Sequence, residues 1–553
     1  MAELRPALSV LRENPYRWLL TLDIAGRIVR LSTDGPVTVT GTDGTDYPYT
    51  GGLAPAAFER LLELFNDSPS SRSASFEVLL DFDLAQLVAR GLPLFAATGE
   101  LAQWYEDQPF ERRRVVLRGD LDEPAYGALG ESVSFTVTED PGLDRAVLPL
   151  STWIVDEETT FPESGNLGPD PGIVGAVYPL IIGGPGQALS TGTTSSILSE
   201  EVPGSPALLV RRDSAAGVTL TDYRILVAGG RVESSDVKIV NLTTTSKTFS
   251  TSTLATATDG LGQRYTYVNP IGTSSIPAEG DELYAIWDPA DGGGLRSPFD
   301  TVGLRGAGDV IRWALQSSTL RIDHSRLAEL SVLNAFKLDS FINTPISPWE
   351  WLSSNVLPLL PVTVATGPDG LYVVPWSAEA LQDSQALEVL EDGRNCTRIG
   401  DVIYTSSTGV ANEITLRFAP DAATGTLAQR RTLSGATYDS TDPNTLPNFW
   451  CRRSRGVYRG QPRKLEISSS VLFDVATVEA LLASLARRYT FPRREILYRC
   501  PRDLDWLRPG DAVRLTDADL HLTEAIVTIG PIGYQDDALV VQLIVFEPLR
   551  FEK

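Results

Sequence analysis

Few side chains in this sequence have the types and spacing for chemistry. The nearest approach is His521, one of only two histidines, in "DADLHLTEA", with Asp517, Asp519 and Glu524 around it. An imidazole with three carboxylates is half of a divalent-metal site. The competing reading is a solvated loop, because these residues fall at a turn between strands and point in several directions. The other histidine, His324, follows "TLRID" at a helix entrance, a place for capping or surface exposure. Gly183, Gly184 and Gly186 in "GAVYPLIIGGPGQ" raise a phosphate cradle as a question. A cradle needs a helix behind the glycines and a lysine near them. Neither pattern is present, so the segment reads as a tight turn leaving a buried strand.

Cys396, Cys451 and Cys500 are far apart, odd in number and without a CxxC spacing, which argues against a structural zinc site. They read as reduced, buried thiols. A shared metal or cluster site built from Cys451 and Cys500 across an oligomer is the alternative. GxSxG, HExxH, GxxxxGK[ST] and EF-hand patterns are absent. A glycosidase needs only two carboxylates at a fixed separation in space, and among 71 acidic residues the sequence singles out no pair. No catalytic, cofactor-binding or metal-binding residue is therefore assigned. The expectation is a non-enzymatic protein without a cofactor.

The elements that would carry any site are mostly strands. "WLLTLDIAGRIVRLST" (Trp18 to Thr33) is two alternating runs around a turn, a hairpin signal. "SASFEVLLDFD", Arg114 to Leu121 and Ser132 to Glu139 add strands, and "LAQLVARGLP" (Leu84 to Pro93) has helical spacing. The run Arg112 to Arg114 reads as a solvated or interface face. In "GDVIRWALQSS", Asp309 is placed to cap a helix that carries Val310, Ile311, Ala314 and Leu315 on one face. "SRLAELSVLNAF" is a second candidate helix. "ISPWEWLSSNVLPLL" is the clearest helix start: Ser347 caps, Pro348 suits the first position and Glu350 completes a capping box. Trp351, Leu352 and Val356 face inward there, and Pro358 ends the helix. "PVTVATGPDGLYVVPW" follows as a hairpin turned by "GPDG". "DVATVEALLASLARRYTFP" is amphipathic, capped by Asp474, with Val478, Leu481, Leu482, Leu485 and Tyr489 in its stripe. "ATGTLAQRRTLSGATYDSTDPNTLPNF" is polar and reads as a long loop. The ending holds strands at Asp511 to Leu515, Glu524 to Gln535 and Ala538 to Phe546, a small meander packed on the preceding helix. Trp349, Trp351 and Trp506 are the expected core anchors.

With 553 residues, roughly 100 to 200 per domain gives three to five domains. Five segments follow from the shifts in composition. Residues 1–149 form a β-barrel domain. Residues 150–295 form a Ser/Thr/Gly-rich β domain, of which "LTTTSKTFSTSTLATATDGLG" is an exposed hairpin. Residues 296–380 are helical with a hairpin. Residues 381–464 are a second β-barrel region with a long loop, and 465–553 are a helix plus meander. The fold class is α+β, mainly β, with several barrel or sandwich modules and short packing helices. The formal charge of −24 disfavours wrapping nucleic acid, which needs clustered Lys and Arg. The same charge suits the wall of a passage to which DNA should not adhere. The first residues lack the apolar core of a signal peptide, and no apolar run reaches the ~20 residues that span a bilayer. The expected state is soluble, made and assembled inside a cell.

The helix and strand around "TVEALLASLARRYTFPRRE", the turn in "LRPGDAVRLTD" and the closing meander together resemble the C-terminal part of bacteriophage tail hub proteins. "ISPWEWLSSNVLPLLPVTVATGPDGLYVVPW" is similar to the same family, and "LRGDLDEPAYGALGESVSFTV" looks like the end of its first barrel. The order of the pieces, over roughly 1–149 and 300–553, carries the resemblance; residues 150–295 depart from it. The resemblance implies a siphophage-like baseplate hub: a homotrimer with two similar barrels per chain, closing the distal end of the tail tube. Three chains would then present six near-equivalent units to a sixfold tube or distal tail ring. Its implied partners are further copies of itself, the distal tail protein ring, the tail tube, the tape measure and tail fibre or tip proteins, in the virion. It would bind no nucleic acid stably and would leave a channel for genome exit. The alternatives are a receptor- or carbohydrate-binding tip protein, for which ten Trp and seventeen Tyr could supply sugar platforms, and a tail-associated cell-wall hydrolase.

Overall fold

A computed structural model describes residues 16–54, 59–60, 72–79, 97–122, 125–126, 132–139, 141–150, 154–157, 159, 168–169, 171–186, 201–211, 223–232, 237–243, 254–268, 277, 280–287, 294–299, 303–375, 388–434, 447–501, 504, 507–535 and 538–545. The helix expected at Leu84 to Pro93, the Ser/Thr-rich run 244–253 and Trp506 lie outside these residues.

The first region holds β1 (Tyr16–Ile24), β2 (Arg27–Ser32), β3 (Val37–Thr40), β4 (Asp46–Tyr49), β5 (Glu59–Arg60), β6 (Arg72–Leu79), β7 (Thr98–Tyr105), β8 (Arg114–Leu121), β9 (Ala125–Tyr126) and β10 (Ser132–Glu139). Its main sheet is antiparallel in the order β2-β1-β7-β8-β10-β6. Alternation decides which face turns inward: Trp18, Leu20, Leu22 and Ile24 of β1 join Ala74, Phe76 and Val78 of β6 and Val133, Phe135 and Val137 of β10 in one cluster. The two ends of the sheet are tied together by residues 50–54. Ser32 donates its N–H to the Thr50 carbonyl at 2.7 Å, and Ala54 donates to that of Glu77 at 3.1 Å. Bridges Leu31–Thr50 and Leu53–Val78 complete the ring.

The middle region holds β11 (Gly168–Pro169), β12 (Leu180–Ile182), β13 (Ser205–Arg211), β14 (Tyr223–Gly229), β15 (Val237–Asn241), β16 (Ala255–Thr258), β17 (Arg264–Val268) and β18 (Leu283–Trp287). Their sheet runs β15-β18-β13-β14-β17-β16. After it come α1 (Ala307–Ser317), β19 (Ser340–Ile342), α2 (Pro348–Asn355) and the hairpin of β20 (Val362–Gly367) and β21 (Gly370–Pro375). β12 pairs with β19, so the chain before and after residue 295 shares hydrogen bonds. One apolar cluster also runs from Leu148 through Tyr265 and Trp351 to Ala486.

Here the helix start at Ser347 is as expected: its side chain accepts the Glu350 N–H, Pro348 opens α2, and Trp351, Leu352 and Val356 are buried. Two expectations are corrected. Gly306, not Asp309, is the cap of α1. Asp309 sits in the first turn, where Asn334 engages both its backbone N–H and its carboxylate at 3.0 Å. Asn334 thus takes over the role of a capping side chain from a distant position. The second candidate helix is a run of 3-10 turns over His324–Ala335. Its buried leucines, Leu327, Leu330 and Leu333, recur every three residues, the repeat of a 3-10 helix.

The last region holds β22 (Val389–Glu391), β23 (Thr397–Tyr404), β24 (Glu413–Pro420), β25 (Leu427–Ser434), α3 (Pro447–Val457), β26 (Lys464–Ser468), α4 (Val475–Tyr489), β27 (Arg494–Cys500), β28 (Ala512–Asp517), β29 (Leu522–Gln535) and β30 (Ala538–Val545). The polar segment read as one long loop contains β25 and the start of α3. The alternation of β25 is weak because its inward face, Leu427, Gln429, Arg431 and Leu433, is apolar only at its ends, while its outward face starts on Ala428. α4 is capped by Asp474 as expected. Its stripe, however, joins the middle cluster and packs on β24 and β25, not on the closing meander. The meander has its own core, with Ile496, Tyr498 and Cys500 against Leu539, Val541, Leu543 and Val545.

The sheet around that core runs β22-β28-β29-β30-β27-β23. Its two end strands are separated in sequence only by residues 392–396, and five residues span at most about 18 Å. Asp392 bridges Cys396, so this sheet also curls into a ring. When the six main strands of each ring are numbered in chain order, both rings read 1-4-5-6-3-2. The rings differ in one direction: β1 is antiparallel to β7, whereas the short β22 is parallel to β28. In both, an excursion is inserted between the second and third strands, β3 to β5 in the first and β24 to α4 in the second. The protein is mainly β with packed helices, an α+β fold.

Candidate functional site

The residues singled out for metal or cofactor chemistry are not brought together as a reactive site. His521 is exposed at a turn with φ of 54°, and His324 is exposed at the start of the 3-10 turns. Asp517, by contrast, is buried, and its carboxylate is taken up by its own chain. It accepts from Tyr498 Oη at 2.7 Å, Arg398 Nη1 at 3.0 Å and the Leu520 N–H at 3.1 Å. Burial, then the Asp517 carboxylate, pushes the Tyr498 hydroxyl above its usual range, so it stays a proton donor. Asp519 is exposed and reaches Arg398 at 3.2 Å. Among the described residues no group of three or more His, Cys, Asp or Glu is placed to hold a metal ion.

Cys451 lies in the middle cluster and Cys500 in the last one, each buried within its own chain. Burial pushes the Cys451 thiol up to about 12, and burial followed by Asp392 does the same to Cys396. Neither thiol is poised as a nucleophile at neutral pH.

Gly183, Gly184 and Gly186 do form a tight turn leaving β12. The turn cradles the protein's own carboxylate. Gly184 donates its N–H to Asp339 Oδ1 at 2.8 Å, and Arg305 grips Asp339 at 2.7 and 3.1 Å. Asp339 is 1% exposed; burial raises its pKa against the opposing pull of Arg305.

The arrangement that stands out is the joint between the two rings. β5, from the first ring's excursion, adds to β29 of the second at Ile532 and Gly533. The hairpin β20–β21 lies alongside. Near its tip, Arg321 Nη2 donates to the Pro368 carbonyl at 2.9 Å and to the Arg118 carbonyl of β8 at 3.3 Å. Along its other strand it meets the "PGD" turn of the second ring. Gly510 has φ of 90°, and a Cβ there would lie 2.7 Å from Val374 Cγ1. Asp511 receives Arg326 Nη2 at 2.5 Å and the Arg508 N–H at 2.7 Å. Arg326 is 8% exposed and sits over the Tyr372 ring at 5.1 Å. Burial alone would lower its pKa, but Asp511 and Glu329 outweigh it and keep the guanidinium charged. Asp323, which caps the 3-10 turns, takes Arg508 at 3.3 Å. Buried, doubly bonded charges of this kind fix geometry. Sequence could not single out Arg326, because its partner is 185 residues away.

A second charged knot lies on the outer face of the first ring. Glu100 pairs with Arg113 at 2.8 Å and Arg118 at 2.5 Å, so one member of the run Arg112 to Arg114 is committed within the chain. Burial pushes Glu100 up, but Arg118 and Arg113 together hold its carboxyl below the ordinary 4.5. A folded pKa below the unfolded one means a contribution that is full above the unfolded value and lost as pH falls through the folded one. Glu100→Gln should cost about 1–2 kcal/mol at neutral pH, a figure discounted for the partial exposure of Arg118. The deficit relative to wild type should close as chemical unfolding is repeated at progressively lower pH. A deficit that stayed constant through the acid range would remove the ion pairs from the account.

Of the ten tryptophans, seven fall among the described residues, and all seven are buried or half-buried. Trp351 is a core anchor, and Trp349 packs on the edge of the same cluster. Large exposed apolar side chains include two groups close in sequence or on neighbouring strands. Leu143, Val147, Leu150, Ile154 and Val174 lie after the first ring, and Val389, Ile403 and Tyr404 lie on the edge of the second. No described helix is long and apolar enough to cross a membrane.

No protein-family model matches the chain, and no curated protein matches it. Among solved structures, it is similar to the tail protein from Neisseria meningitidis MC58, with 10% identity and a TM-score of 0.37 over 96% of this chain and 97% of that one. It is also similar to the prophage MuSo2 43 kDa tail protein from Shewanella oneidensis, with 12% identity and a TM-score of 0.34 over 96% and 99%. A chain of the native gene transfer agent virion covers half of this chain, with a TM-score of 0.19.

Proposed function

We propose that this chain is a structural protein of a phage tail or baseplate, acting as a hub that closes the distal end of the tail tube. The observation that carries the reading is the repeated ring: two curled six-stranded sheets with the same cyclic strand order, joined by β5 adding to β29, with the 3-10 turns held on the second ring by the Arg326–Asp511 pair. A chain with two like units can offer six near-equivalent contacts as a trimer, which removes the mismatch between a threefold tip and a sixfold tube or ring. The sequence resemblance to tail hubs, in the order of its pieces, supports the same reading. The net charge of −24 per chain fits a passage through which DNA moves without adhering. On this reading the partners are further copies of the chain, the distal tail ring, the tube, the tape measure and the tip or fibre proteins. The protein works by holding geometry, without catalysis.

The test is a reconstruction of the particle carrying a labelled copy, with the mass of the purified protein in solution measured alongside. Three copies about the tail axis at its distal end are expected. A solitary protein away from any tail, or a turnover of peptidoglycan abolished by an acid-to-amide change, would overturn the reading.

A further inference from the structure

Charge is segregated along this chain. Residues 447–464, which include α3 and the turn after it, contain Arg452, Arg453, Arg455, Arg459, Arg463 and Lys464 and no acidic residue. With that +6 set apart from the total of −24, the rest of the chain carries −30. Arg452, Arg453, Arg459 and Lys464 are exposed, beside Val457 at 63% exposure. The opposite pattern occurs on the first ring. Residues 31–58 contain Asp34, Asp43 and Asp46 and no Lys or Arg. The loop between β7 and β8 adds Glu106, Asp107 and Glu111 against one exposed cation, Arg112, since Arg113 is paired with Glu100; Glu111 accepts the Thr42 N–H at 2.9 Å, which fastens this loop to the β3–β4 hairpin. Apart from Glu106, which is half-buried and pairs with Arg17, these carboxylates are exposed. The basic segment packs on β25 and α4, and the acidic end belongs to the first ring.

We propose that the basic surface of α3 and its following turn docks on the acidic end of the first ring of a second copy of this chain. A chain this acidic repels its own copies unless opposite patches meet. The two patches are different surfaces, so the contact is heterologous, head to tail, and such contacts generate closed rings when the rotation closes. The exposed Val457 places an apolar contact among the charges, as the core of an interface requires. This inference rests on the self-assembly in the reading above and names the surface that performs it.

The test uses the full chain and a charge swap, read by sedimentation. Wild type should associate, with a dissociation constant that weakens about tenfold or more between about 50 and about 500 mM salt. Arg452→Glu, Arg453→Glu and Arg459→Glu together should weaken association at least about tenfold at low salt. The pair Asp43→Lys and Asp46→Lys should do the same. Combining all five substitutions in one chain should restore association, because the two reversed patches again match at every contact of the ring; loss through misfolding would not be rescued in this way. Association of the triple variant equal to wild type sinks this inference and leaves the hub reading standing. A wild type that stays solitary at every salt sinks both. Patch-dependent binding of a short DNA duplex, with self-association unaffected by the reversal, would assign the surface to nucleic acid and overturn the proposal.

Discussion

Asp511→Ala is expected to lower the free energy of unfolding by about 3–5 kcal/mol, measured by equilibrium urea unfolding. The variant leaves Arg326 charged and 8% exposed without its main carboxylate, and it leaves the Arg508 N–H without an acceptor. Removing one partner of a buried pair costs more than the pair contributes, because the remaining charge has already lost its water. Replacing both partners should therefore recover much of the loss. Arg326→Met combined with Asp511→Leu is expected to lie closer to wild type than Asp511→Ala alone. The cycle reports coupling between the 3-10 turns and the second ring. A single variant within about 1 kcal/mol of wild type would mean that water reaches the pair and that the joint does not rest on it.

The same joint shows what sequence can and cannot carry. Local signals worked where one short segment held the whole cause. Ser347, Pro348 and Glu350 define the start of α2 within four residues, and the alternation of Trp18, Leu20, Leu22 and Ile24 states which face of β1 is inward. "GPDG" turned its hairpin as read. The signals failed where the cause was distant. Asn334 reaches across to α1 and removes the need for a capping Asp309. Leu327, Leu330 and Leu333 fit either helix type in part, so their spacing alone does not separate 3-10 turns from an α-helix. Ring closure by residues 50–54 has no periodic signature at all, since it is two bridges and a few backbone bonds to strands on either side. The candidate site was less legible than the fold for the same reason. "PGD" was visible as a turn, but the partner that gives Asp511 its purpose was not.

Gly183→Ala should destabilise the protein by more than the ordinary penalty of a left-handed alanine, and Gly26→Ala supplies the control. Both glycines have positive φ, 62° at Gly183 and 85° at Gly26. A Cβ at Gly26 meets nothing within 4 Å, so that variant should lose only the conformational term of about 1–2 kcal/mol. A Cβ at Gly183 would lie 2.2 Å from the Leu338 carbonyl oxygen and 2.4 Å from Asp339 Oδ1. Neither atom can step aside cheaply. The carbonyl is backbone, and the carboxylate is held by Arg305 and the Gly184 N–H inside the largest core. The alanine must therefore push apart β12 and the Leu338–Asp339 backbone, and a loss of about 3 kcal/mol or more is expected. Asp339→Ala attacks the same knot from the other side and should cost about 3 kcal/mol by removing the buried carboxylate that Arg305 and the Gly184 N–H share. Because the two residues share partners, their effects should fall short of adding when the substitutions are combined. Urea midpoints of the two singles, the double and the Gly26 control decide the matter. If Gly183→Ala matched Gly26→Ala, or if the Gly183 and Asp339 losses simply summed, the carboxylate would not be what holds this turn against the core.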